Sequence, residues 1–240
     1  MVTRIAPTPS GFLHAGNRYN FRLTANLAEE HEIPLALRID DVDAARYQSV
    51  YADDIFNVLH DLNIAWSIGP RDTADFEAHW SQRQKTNYYR AELALLRNSS
   101  VETYACRCSR SMISSVPSGG CPGQCRTAQH ELVAHESALR VHVPIGTTIS
   151  VNDVEVHLDS ELGDFVIWRR DDLPAYQLVS VIEDRDLGTT HIVRGEDLLT
   201  STAAQIFIAS SLGAENLGTA HYVHHPLLTD ASGAKLSKSR

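Results

Sequence analysis

The chain has 240 residues, 43% of them hydrophobic and 21% charged, which is ordinary for a soluble globular protein with one large domain or one domain with an insert. No apolar run approaches the roughly 20 residues of a membrane span, and no signal-peptide pattern opens the chain, so we expect a cytoplasmic protein with no membrane partner. The formal net charge of −9 argues against a surface broadly coated with nucleic acid.

The first elements predict a nucleotide-binding α/β fold. Val2 to Ala6 is typical of a short buried strand, apolar spacing predicts a helix from about His14 to Glu30, and Leu35 to Ile39 is typical of the next strand. A strand, a helix and a strand of this length form a crossover in a parallel sheet. The turn after the first strand then falls at the carboxyl edge of the sheet, where such folds bind nucleotides.

This turn reads Ala-Pro-Thr-Pro-Ser-Gly-Phe-Leu-His-Ala-Gly-Asn over residues 6–17 and leads directly into the first helix. A helix start has unpaired N–H groups and the positive end of the helix dipole, which suit a phosphate. We expect His14 to donate to a phosphoryl oxygen and Gly16 to let a purine approach the helix backbone closely.

Acidic residues follow the second predicted strand. Asp40, Asp41 and Asp43 either contact a substrate or cap the next helix, which we predict from about Ser49 to Leu62. Asp53 and Asp54, near the start of that helix, are explained by the helix dipole and need no function. Another helix is predicted from about His79 to Arg97.

The charge is unevenly distributed along the chain. Between residues 78 and 126 there are two acidic residues, Glu92 and Glu102, and seven basic ones: Arg83, Lys85, Arg90, Arg97, Arg107, Arg110 and Arg126. A locally basic segment in an acidic protein indicates either a confined contact with a phosphate backbone or a solvated helix face balanced by acidic neighbours.

Four cysteines form two close pairs, Cys106 with Cys108 and Cys121 with Cys125, separated by twelve residues of a loop rich in serine, glycine and proline. Four thiolates complete one closed tetrahedral zinc site, which leaves no open position for catalysis and therefore indicates a structural role. Such a site substitutes for a core that a small lobe cannot build. Disulfides or free thiols are the alternatives, although a cytosolic location disfavours disulfides.

Alternating residues from Ala138 to Leu158 predict short strands of an inserted lobe. We therefore expect three parts: residues 1–97 as the first half of a nucleotide-binding domain, 98–163 as a zinc-containing insert lobe, and 164–240 as the second half of that domain. A helix is predicted from about Ser201 to Leu212 in this last part.

Two lysines lie three residues apart near the last residue, in the stretch Lys235-Leu-Ser-Lys238-Ser. The chain has three lysines in all, so this concentration indicates positioned charge instead of general solubility.

The first turn and the lysine stretch together resemble the HIGH and KMSKS signatures of the class I aminoacyl-tRNA synthetases, and the surrounding residues narrow the resemblance to the glutamate branch over nearly the whole chain. The resemblance implies an α/β fold, in which a Rossmann-like parallel sheet is interrupted by a small zinc-bearing insert that binds the acceptor. It implies catalytic roles for His14, Lys235 and Lys238. It places ATP on the following residues: His14, Gly16, Asn17, Glu196 and Lys238.

The same resemblance implies that the amino acid contacts Arg4, Ala6, Thr8, Asp40, Tyr176 and Arg194, with the two arginines pairing with its carboxylates. The chain departs from the family at three positions. Asp40 stands where a longer glutamate is usual, and Ser180 replaces a common asparagine. Cys121 replaces a tyrosine, which strengthens the zinc interpretation. A family strand ending in His-x-Pro-Leu covers residues 221–228, so packing and hydrogen bonding are expected of the histidines there.

The resemblance thus implies a ligase that activates glutamate with ATP and Mg²⁺ and transfers it to a tRNA. Within the branch the chain is similar to short members that lack an anticodon-binding domain, whose acceptor is queuosine in the anticodon of tRNA(Asp). Two other functions stay open at this point. One is an adenylating ligase acting on an acceptor other than tRNA, and the other is a non-catalytic paralogue that senses amino acid or ATP.

Overall fold

A computed structural model describes residues 1–116 and 120–228 of the chain. These residues form two compact units. The first contains Met1–Lys85, Leu187–Leu198 and the described residues from Thr219 onward, and the second contains Thr86–Asp186 and Leu199–Gly218. The division into a catalytic domain and an insert with limits at residues 97 and 163 remains a prediction. Within the described ranges, no helix is both long and apolar enough to cross a membrane.

The strands of both units are short. In chain order they are β1 Thr3–Ile5, β2 Leu35–Leu37, β3 Thr103–Cys106, β4 Ala138–Val141, β5 Thr148–Val151, β6 Val154–His157, β7 Phe165–Trp168, β8 His191–Gly195 and β9 His221–His225. Four of them, in the order β2-β1-β8-β9, form the sheet of the first unit, and every neighbouring pair is parallel. The predicted parallel sheet is therefore confirmed.

The helices vary more in length. In chain order they are α1 Ala15–Glu30, α2 Ser49–Asp61, α3 Thr73–Asp75, α4 Thr86–Arg97, α5 Arg110–Ser114, α6 Gln124–Thr127, α7 Leu158–Glu161, α8 Tyr176–Asp186 and α9 Leu199–Ala209. The predicted helix from Ser201 to Leu212 corresponds to α9 followed by a 3₁₀ turn at Ser210–Leu212, which ends at Gly213 with φ of 64°. Glycine adopts this left-handed conformation without steric cost, so it terminates the helix.

Helices α1 and α2 contribute to the core of the first unit. Strands β1 and β2 are buried along their whole length, as is usual where a parallel sheet is covered on both faces. Ile5 of β1 belongs to one hydrophobic cluster with Phe21 of α1 and with Ile55 and Leu59 of α2. This apolar burial stabilises the crossover from β1 to β2, and it fixes where the turn after β1 lies.

The predicted helix from His79 to Arg97 is wrong in its first part. A single π-helical turn covers Phe76–Trp80, Ser81 is extended, and a 3₁₀ turn at Gln82–Lys85 precedes α4. The physical reason is Asp41, whose buried carboxylate accepts from Ser81 Oγ at 2.6 Å and from the backbone N–H of Gln82 at 2.7 Å. The second of these bonds uses the Gln82 N–H, which a continuous α-helix would have paired with a backbone carbonyl four residues earlier.

The second unit contains an antiparallel sheet in the order β3-β4-β7 and a separate hairpin of β5 and β6. Its largest fully buried side chains include Trp168, Tyr89 and Leu178. The Tyr89 hydroxyl donates to Glu183 at 2.6 Å, so this buried polar group is satisfied.

Asp164 connects the cysteine-bearing segment of the second unit to its sheet. Its buried carboxylate accepts from Arg126 Nε at 2.7 Å, from the Tyr104 hydroxyl at 2.6 Å and from the Val143 N–H at 2.9 Å. Burial by itself would raise the pKa of Asp164, but these hydrogen bonds hold that pKa below its usual value. Arg126 follows directly after Cys125, and this ion pair therefore anchors the second cysteine pair.

Candidate active site and metal centre

The sheet order of the first unit creates a switch point between β1 and β8. The chain leaves β1 toward β2 on one side, and β8 lies on the other side of β1. In open α/β sheets, ligands bind outside the carboxyl ends of the strands at such a point. A cavity of about 260 Å³ is found there, lined by His14, Gly16, Asn17, Asn20, Gly195, Asp197, Leu198, His225, Leu227 and Leu228.

His14 is both the N-cap of α1 and part of the cavity wall. Its Nδ1 accepts from the Gly16 N–H at 3.0 Å, and its own N–H donates to Asn17 Oδ1 at 3.1 Å, which completes a capping box. In the neutral imidazole, Nε2 then carries the proton and is the donor atom of the ring. The structure thus brings together three of the residues predicted to bind ATP.

Gly16 has a steric role that differs from its predicted contact with a purine. A Cβ atom at this position would lie 2.8 Å from Cε1 and 3.0 Å from Nδ1 of His14. Any larger residue would therefore displace the imidazole from the helix start. The expected approach of a purine to Gly16 remains a prediction.

Asp54 corrects an interpretation made from sequence. Helix α2 begins at Ser49 and has no acidic residue in its first turn, so the helix dipole does not explain Asp54. Its Oδ2 accepts instead from the Leu13 N–H at 2.8 Å. Asp54 therefore holds the backbone of the residue that precedes His14.

His225 at the end of β9 is a cavity residue for which sequence reasoning expected only packing and hydrogen bonding. Its Nε2 accepts from Asn20 Nδ2 at 3.0 Å, and its ring centre lies 5.2 Å from that of Tyr19 with the two ring planes nearly perpendicular. The expected packing and hydrogen bonding are present. The place of His225 in the chain could have predicted a role in the site. His225 is the last residue of β9, and the carboxyl end of β9 lies beside that of β8.

Two acidic residues follow β8, and they are placed differently. Glu196, the predicted ATP ligand, accepts from the Leu227 N–H through Oε1 at 3.2 Å, whereas Asp197 lines the cavity. At Gly195 an added Cβ would lie 2.5 Å from Asp197 Oδ1 and 3.0 Å from Leu227 Cδ2. Glycine at this position therefore leaves room for the Asp197 carboxylate. The sequence analysis did not identify Asp197 as a residue of the site.

The two arginines predicted to pair with carboxylates are buried on adjacent strands. Arg4 lies on β1 and Arg194 on β8, and each is 4% exposed. The Arg194 guanidinium carbon lies 5.9 Å from the centre of the Tyr222 ring, within the range of a cation–π interaction. Two guanidinium groups in one unit match the number of carboxylates in an acidic amino acid.

Arg194 also affects a neighbouring histidine. His224 on β9 lies opposite Arg194 in the parallel register, and its pKa falls to about 4 because of burial first and the Arg194 charge second. The pKa of His191 is lowered as well, by burial and by the charges of His31 and His221. Both imidazoles therefore resist protonation in the folded chain.

This arrangement predicts a loss of stability in acid. Below pH 6.5 the unfolded chain takes up a proton at His224 that the folded chain does not bind until pH falls to about 4, so the free energy of unfolding decreases over this window. We expect His224 to contribute a loss of about 1–2 kcal/mol between pH 7 and pH 4.5. Urea unfolding of the wild type and of His224→Gln at the two pH values measures it.

The matched control is His157→Gln, which removes an exposed histidine from the second unit. The expected result is a shallower pH dependence for His224→Gln than for both the wild type and the control. Equal pH dependence in all three proteins would contradict the role given to His224.

Asp40 lies within a hydrogen-bond network of the first unit. Its carboxylate accepts from Arg38 Nε at 2.7 Å, from Arg38 Nη2 at 3.1 Å and from Gln82 Nε2 at 2.8 Å. An ionised carboxylate has about four acceptor sites, so one remains for a further donor. Asp41 does not cap the following helix, because its carboxylate is bound by residues 81–83.

The other residues predicted to contact ATP or the amino acid do not line the cavity at the switch point, as far as the structure describes them. Ala6 follows β1, and Thr8 is exposed in the turn, where its carbonyl accepts from the Ser10 N–H. Tyr176 begins α8 of the second unit and is 45% exposed, and Ser180 is buried one turn later. Lys235 and Lys238 lie outside the described residues. The ligand roles of these residues remain predictions.

The four cysteines form a buried cluster in the second unit that could hold a metal ion. All are free, and their sulfur atoms lie within 4.8 Å of one another. Cys108 Sγ is 3.6 Å from Cys121 Sγ and 3.5 Å from Cys125 Sγ, close to the roughly 3.8 Å edge of a tetrahedron with metal–sulfur bonds of about 2.3 Å. A disulfide needs about 2.05 Å, so the alternative of disulfide pairing is not observed.

The thiols differ in acidity because their surroundings differ. Burial raises the pKa of Cys106 and, more strongly, that of Cys108. Burial would also raise the pKa of Cys121, but hydrogen bonds from the N–H groups of Gly123 and Cys125 lower it to about 7. Cys121 therefore ionises more readily than Cys106 or Cys108, and a bound metal would favour the thiolate form of those two as well.

The basic segment is largely balanced by acidic side chains. Among the described residues, at least four of its seven cations form ion pairs: Arg83 with Asp41, Arg90 with Asp172, Arg107 with Glu136, and Arg126 with Asp164. For those four residues, the ion pairs favour a solvated surface balanced by acidic neighbours over a contact with a phosphate backbone. Arg110 differs from them, since it lines a cavity beside the cysteine cluster.

Comparison with known proteins gives consistent matches. The family model described as tRNA synthetases class I (E and Q), catalytic domain, matches residues 1–240. The chain is 39% identical to a glutamyl-Q tRNA(Asp) synthetase of Verminephrobacter eiseniae, with 98% of this chain and 80% of that protein covered. It is 37% identical to a protein of the same name from Pseudomonas putida, with 99% and 75% covered.

A solved structure supports the fold. The glutamate tRNA ligase from Elizabethkingia meningosepticum, crystallised in complex with its amino acid, superposes with a TM-score of 0.78 at 21% identity. The alignment covers 99% of this chain and 51% of that protein, so the chain spans about half the length of that ligase. At this level of identity the likeness establishes the α/β fold.

Proposed function

The chain belongs to the class I tRNA synthetases for glutamate and glutamine, and we propose on that premise that it activates glutamate with ATP and transfers it to queuosine of tRNA(Asp). The geometry that carries the proposal is the cavity at the switch point, where His14 and the start of α1 converge with the end of β8. The choice of queuosine in tRNA(Asp) as the acceptor is supported by the names of the two relatives described above, which are both glutamyl-Q tRNA(Asp) synthetases.

We base the choice of glutamate, which has an acidic side chain, on the charged residues of the first unit. Arg4 and Arg194 are buried on adjacent strands, and the planar fork of each can hold a carboxylate through two hydrogen bonds. Asp40 offers its remaining acceptor site to the substrate ammonium group. Arg38 and Gln82 hold the Asp40 carboxylate in place, and this support compensates for the shorter side chain.

In the proposed reaction the α-carboxylate of glutamate attacks the α-phosphorus of ATP in line, forming one P–O bond while the bond to pyrophosphate breaks. Little covalent chemistry is required of the protein, so catalysis consists of positioning and charge stabilisation. His14 donates from Nε2 to a phosphoryl oxygen, and the first N–H groups of α1 face the same negative charge. The roles of Lys235, Lys238 and Tyr176 rest on the family resemblance alone.

Two metals belong to the proposal. Mg²⁺ accompanies ATP and neutralises charge on its phosphates. The ion of the cysteine cluster is proposed to be Zn²⁺, because four thiolates in a closed tetrahedral arrangement are typical of structural zinc. Such an ion would support the fold of the second unit without entering the reaction. A cytoplasmic location is also part of this proposal, since ATP and tRNA are its substrates.

Pyrophosphate exchange tests the activation step. We expect ATP–pyrophosphate exchange with glutamate, and at least tenfold slower exchange with aspartate or glutamine, because only glutamate fits both arginines with the correct length and charge. Radiolabelled glutamate should then be transferred to tRNA(Asp) that carries queuosine, with a tRNA(Asp) transcript lacking the modification as the matched control. Faster exchange with aspartate than with glutamate would contradict the assignment of glutamate as the substrate. Equal labelling of the two tRNAs would contradict the assignment of queuosine as the acceptor.

A further inference from the structure

Asn20 lines the cavity at the switch point but has no role in the proposed activation of glutamate. It lies on α1 one turn after Gly16, so the two residues share a face of the helix. The cavity volume of about 260 Å³ suits one part of a nucleotide and not the whole. What Asn20 can recognise there depends on which atoms of its amide are left for a ligand.

His225 fixes the direction of that amide. The His225 ring is buried, and its Nδ1 lies 2.9 Å from the carbonyl oxygen of Pro226. Because a carbonyl oxygen only accepts, Nδ1 carries the proton, and Nε2 of the neutral ring is an acceptor. The Asn20 atom that lies 3.0 Å from Nε2 is therefore the amide nitrogen, Nδ2, which donates one of its two hydrogens.

Two further contacts hold this pair of side chains in place. The Tyr19 ring packs nearly perpendicular to the His225 ring, and the Thr24 hydroxyl donates to the backbone carbonyl of Asn20 at 2.8 Å. Asn20 Oδ1 has no hydrogen-bond partner among the described residues. The amide thus keeps one acceptor, Oδ1, and one donor, the second Nδ2 hydrogen, side by side.

This combination of groups matches adenine better than guanine. Adenine has an amino donor at position 6 next to a ring-nitrogen acceptor, and an asparagine amide can form both hydrogen bonds at once. Guanine has a carbonyl oxygen at position 6, so two acceptors would face each other. Leu227 and Leu228 line the same cavity and offer apolar contacts to the faces of a flat base.

We propose that Asn20, oriented by His225, recognises the adenine base of ATP. Oδ1 accepts from the 6-amino group, and the second Nδ2 hydrogen is donated to the adjacent ring nitrogen. The inference rests on the proposed function for the presence of a nucleotide in this cavity. Asn20 is then a specificity-determining residue for the nucleotide, and His225 is a positioning residue that acts through Asn20.

The test measures ATP and GTP binding to the metal-loaded full chain by isothermal titration calorimetry. Asn20→Leu replaces the amide with an apolar side chain of similar size. It should raise the Kd of ATP at least about tenfold and change the Kd of GTP by less than about twofold, because two hydrogen bonds to the adenine edge are lost. The preference for ATP over GTP should therefore fall at least about tenfold.

His225→Phe tests the positioning role, because phenylalanine keeps a ring against Tyr19 and removes the Nε2 acceptor. The Asn20 amide can then turn, and the preference for ATP should fall by about threefold to tenfold. Loss of stability alone would weaken the binding of both nucleotides and leave this ratio unchanged.

Asn57→Ala is the matched control, because Asn57 is an exposed asparagine on α2 of the same unit and does not line the cavity. It should keep both Kd values within about twofold of the wild type. Equal weakening of ATP and GTP binding by Asn20→Leu would overturn the proposal, since it would place the amide against the ribose or a phosphate. A wild type that binds the two nucleotides equally would also overturn it.

Pyrophosphate exchange by the wild type separates this inference from the proposed function. Exchange with glutamate, together with an unchanged preference for ATP in Asn20→Leu, would refute the base recognition alone. A lost preference for ATP in a chain without exchange would support the base recognition and refute the proposed activity. Absence of ATP binding by the wild type would refute both.

Discussion

Replacing His14 by alanine is expected to lower kcat for ATP–pyrophosphate exchange with glutamate by about 10²–10³-fold. The reason is the loss of the Nε2–H donor, which is directed away from the hydrogen bond between Nδ1 and the Gly16 N–H. The same substitution removes the side-chain cap of α1, which should lower the free energy of unfolding by about 1 kcal/mol. Steady-state exchange kinetics and urea unfolding measure the two effects.

His14→Asn is the control that separates capping from catalysis. Asparagine is a good N-cap residue, so this variant should regain most of the stability that alanine loses. It should not regain kcat, because its shorter side chain does not reach where the imidazole Nε2 lies. A variant that recovers both stability and exchange would show that His14 acts only as a cap.

Loss of one thiolate from the cysteine cluster should have the largest effect on stability. We expect Cys108→Ser to reduce the metal content from about one ion per chain to nearly none and to destabilise the second unit by more than about 4 kcal/mol. Cys108 is central, since its sulfur lies within 3.6 Å of two others and burial keeps a metal-free thiol neutral. Elemental analysis measures the metal content, and thermal unfolding followed by tryptophan fluorescence, to which Trp66, Trp80 and Trp168 all contribute, measures the stability.

Ser111→Ala is the matched control, because Ser111 is exposed three residues after Cys108 and belongs to no metal-ligand set among the described residues. It should retain both metal and stability. Chelation of the wild type should reproduce the effect of Cys108→Ser, and restored Zn²⁺ should reverse it. A metal-free protein that unfolds at the wild-type temperature would refute a structural role for the ion.

The secondary structure could be predicted where local pattern and tertiary packing agree. The helix from about His14 to Glu30 has apolar spacing and a capping residue, and α1 is observed at Ala15–Glu30. The segment from residue 79 to 85 has similar helical spacing but is not α-helical. Asp41, about forty residues earlier, binds Ser81 and Gln82, and no local pattern announces such a contact.

Parts of the candidate site were equally open to sequence reasoning. The four cysteines could be grouped because two close pairs on one loop leave few other arrangements, and they are observed together. His14 and Gly16 could be placed at a helix start because Pro/Gly turn chemistry is local. Asp54, Asp197 and His225 were missed as site residues, since each depends on a contact with a distant segment.

By itself the sequence determined the strand-turn-helix that bears His14, the grouping of the four cysteines and the family, because these follow from residue types at short, fixed spacing. Only the tertiary structure decided that Arg4 and Arg194 lie on neighbouring strands and that His225 and Asp197 reach the His14 cavity. It also decided that four arginines surround one cavity beside the cysteines. The physical reason is that strand order and packing, which bring distant residues together, arise from burial of the whole core and not from any local stretch.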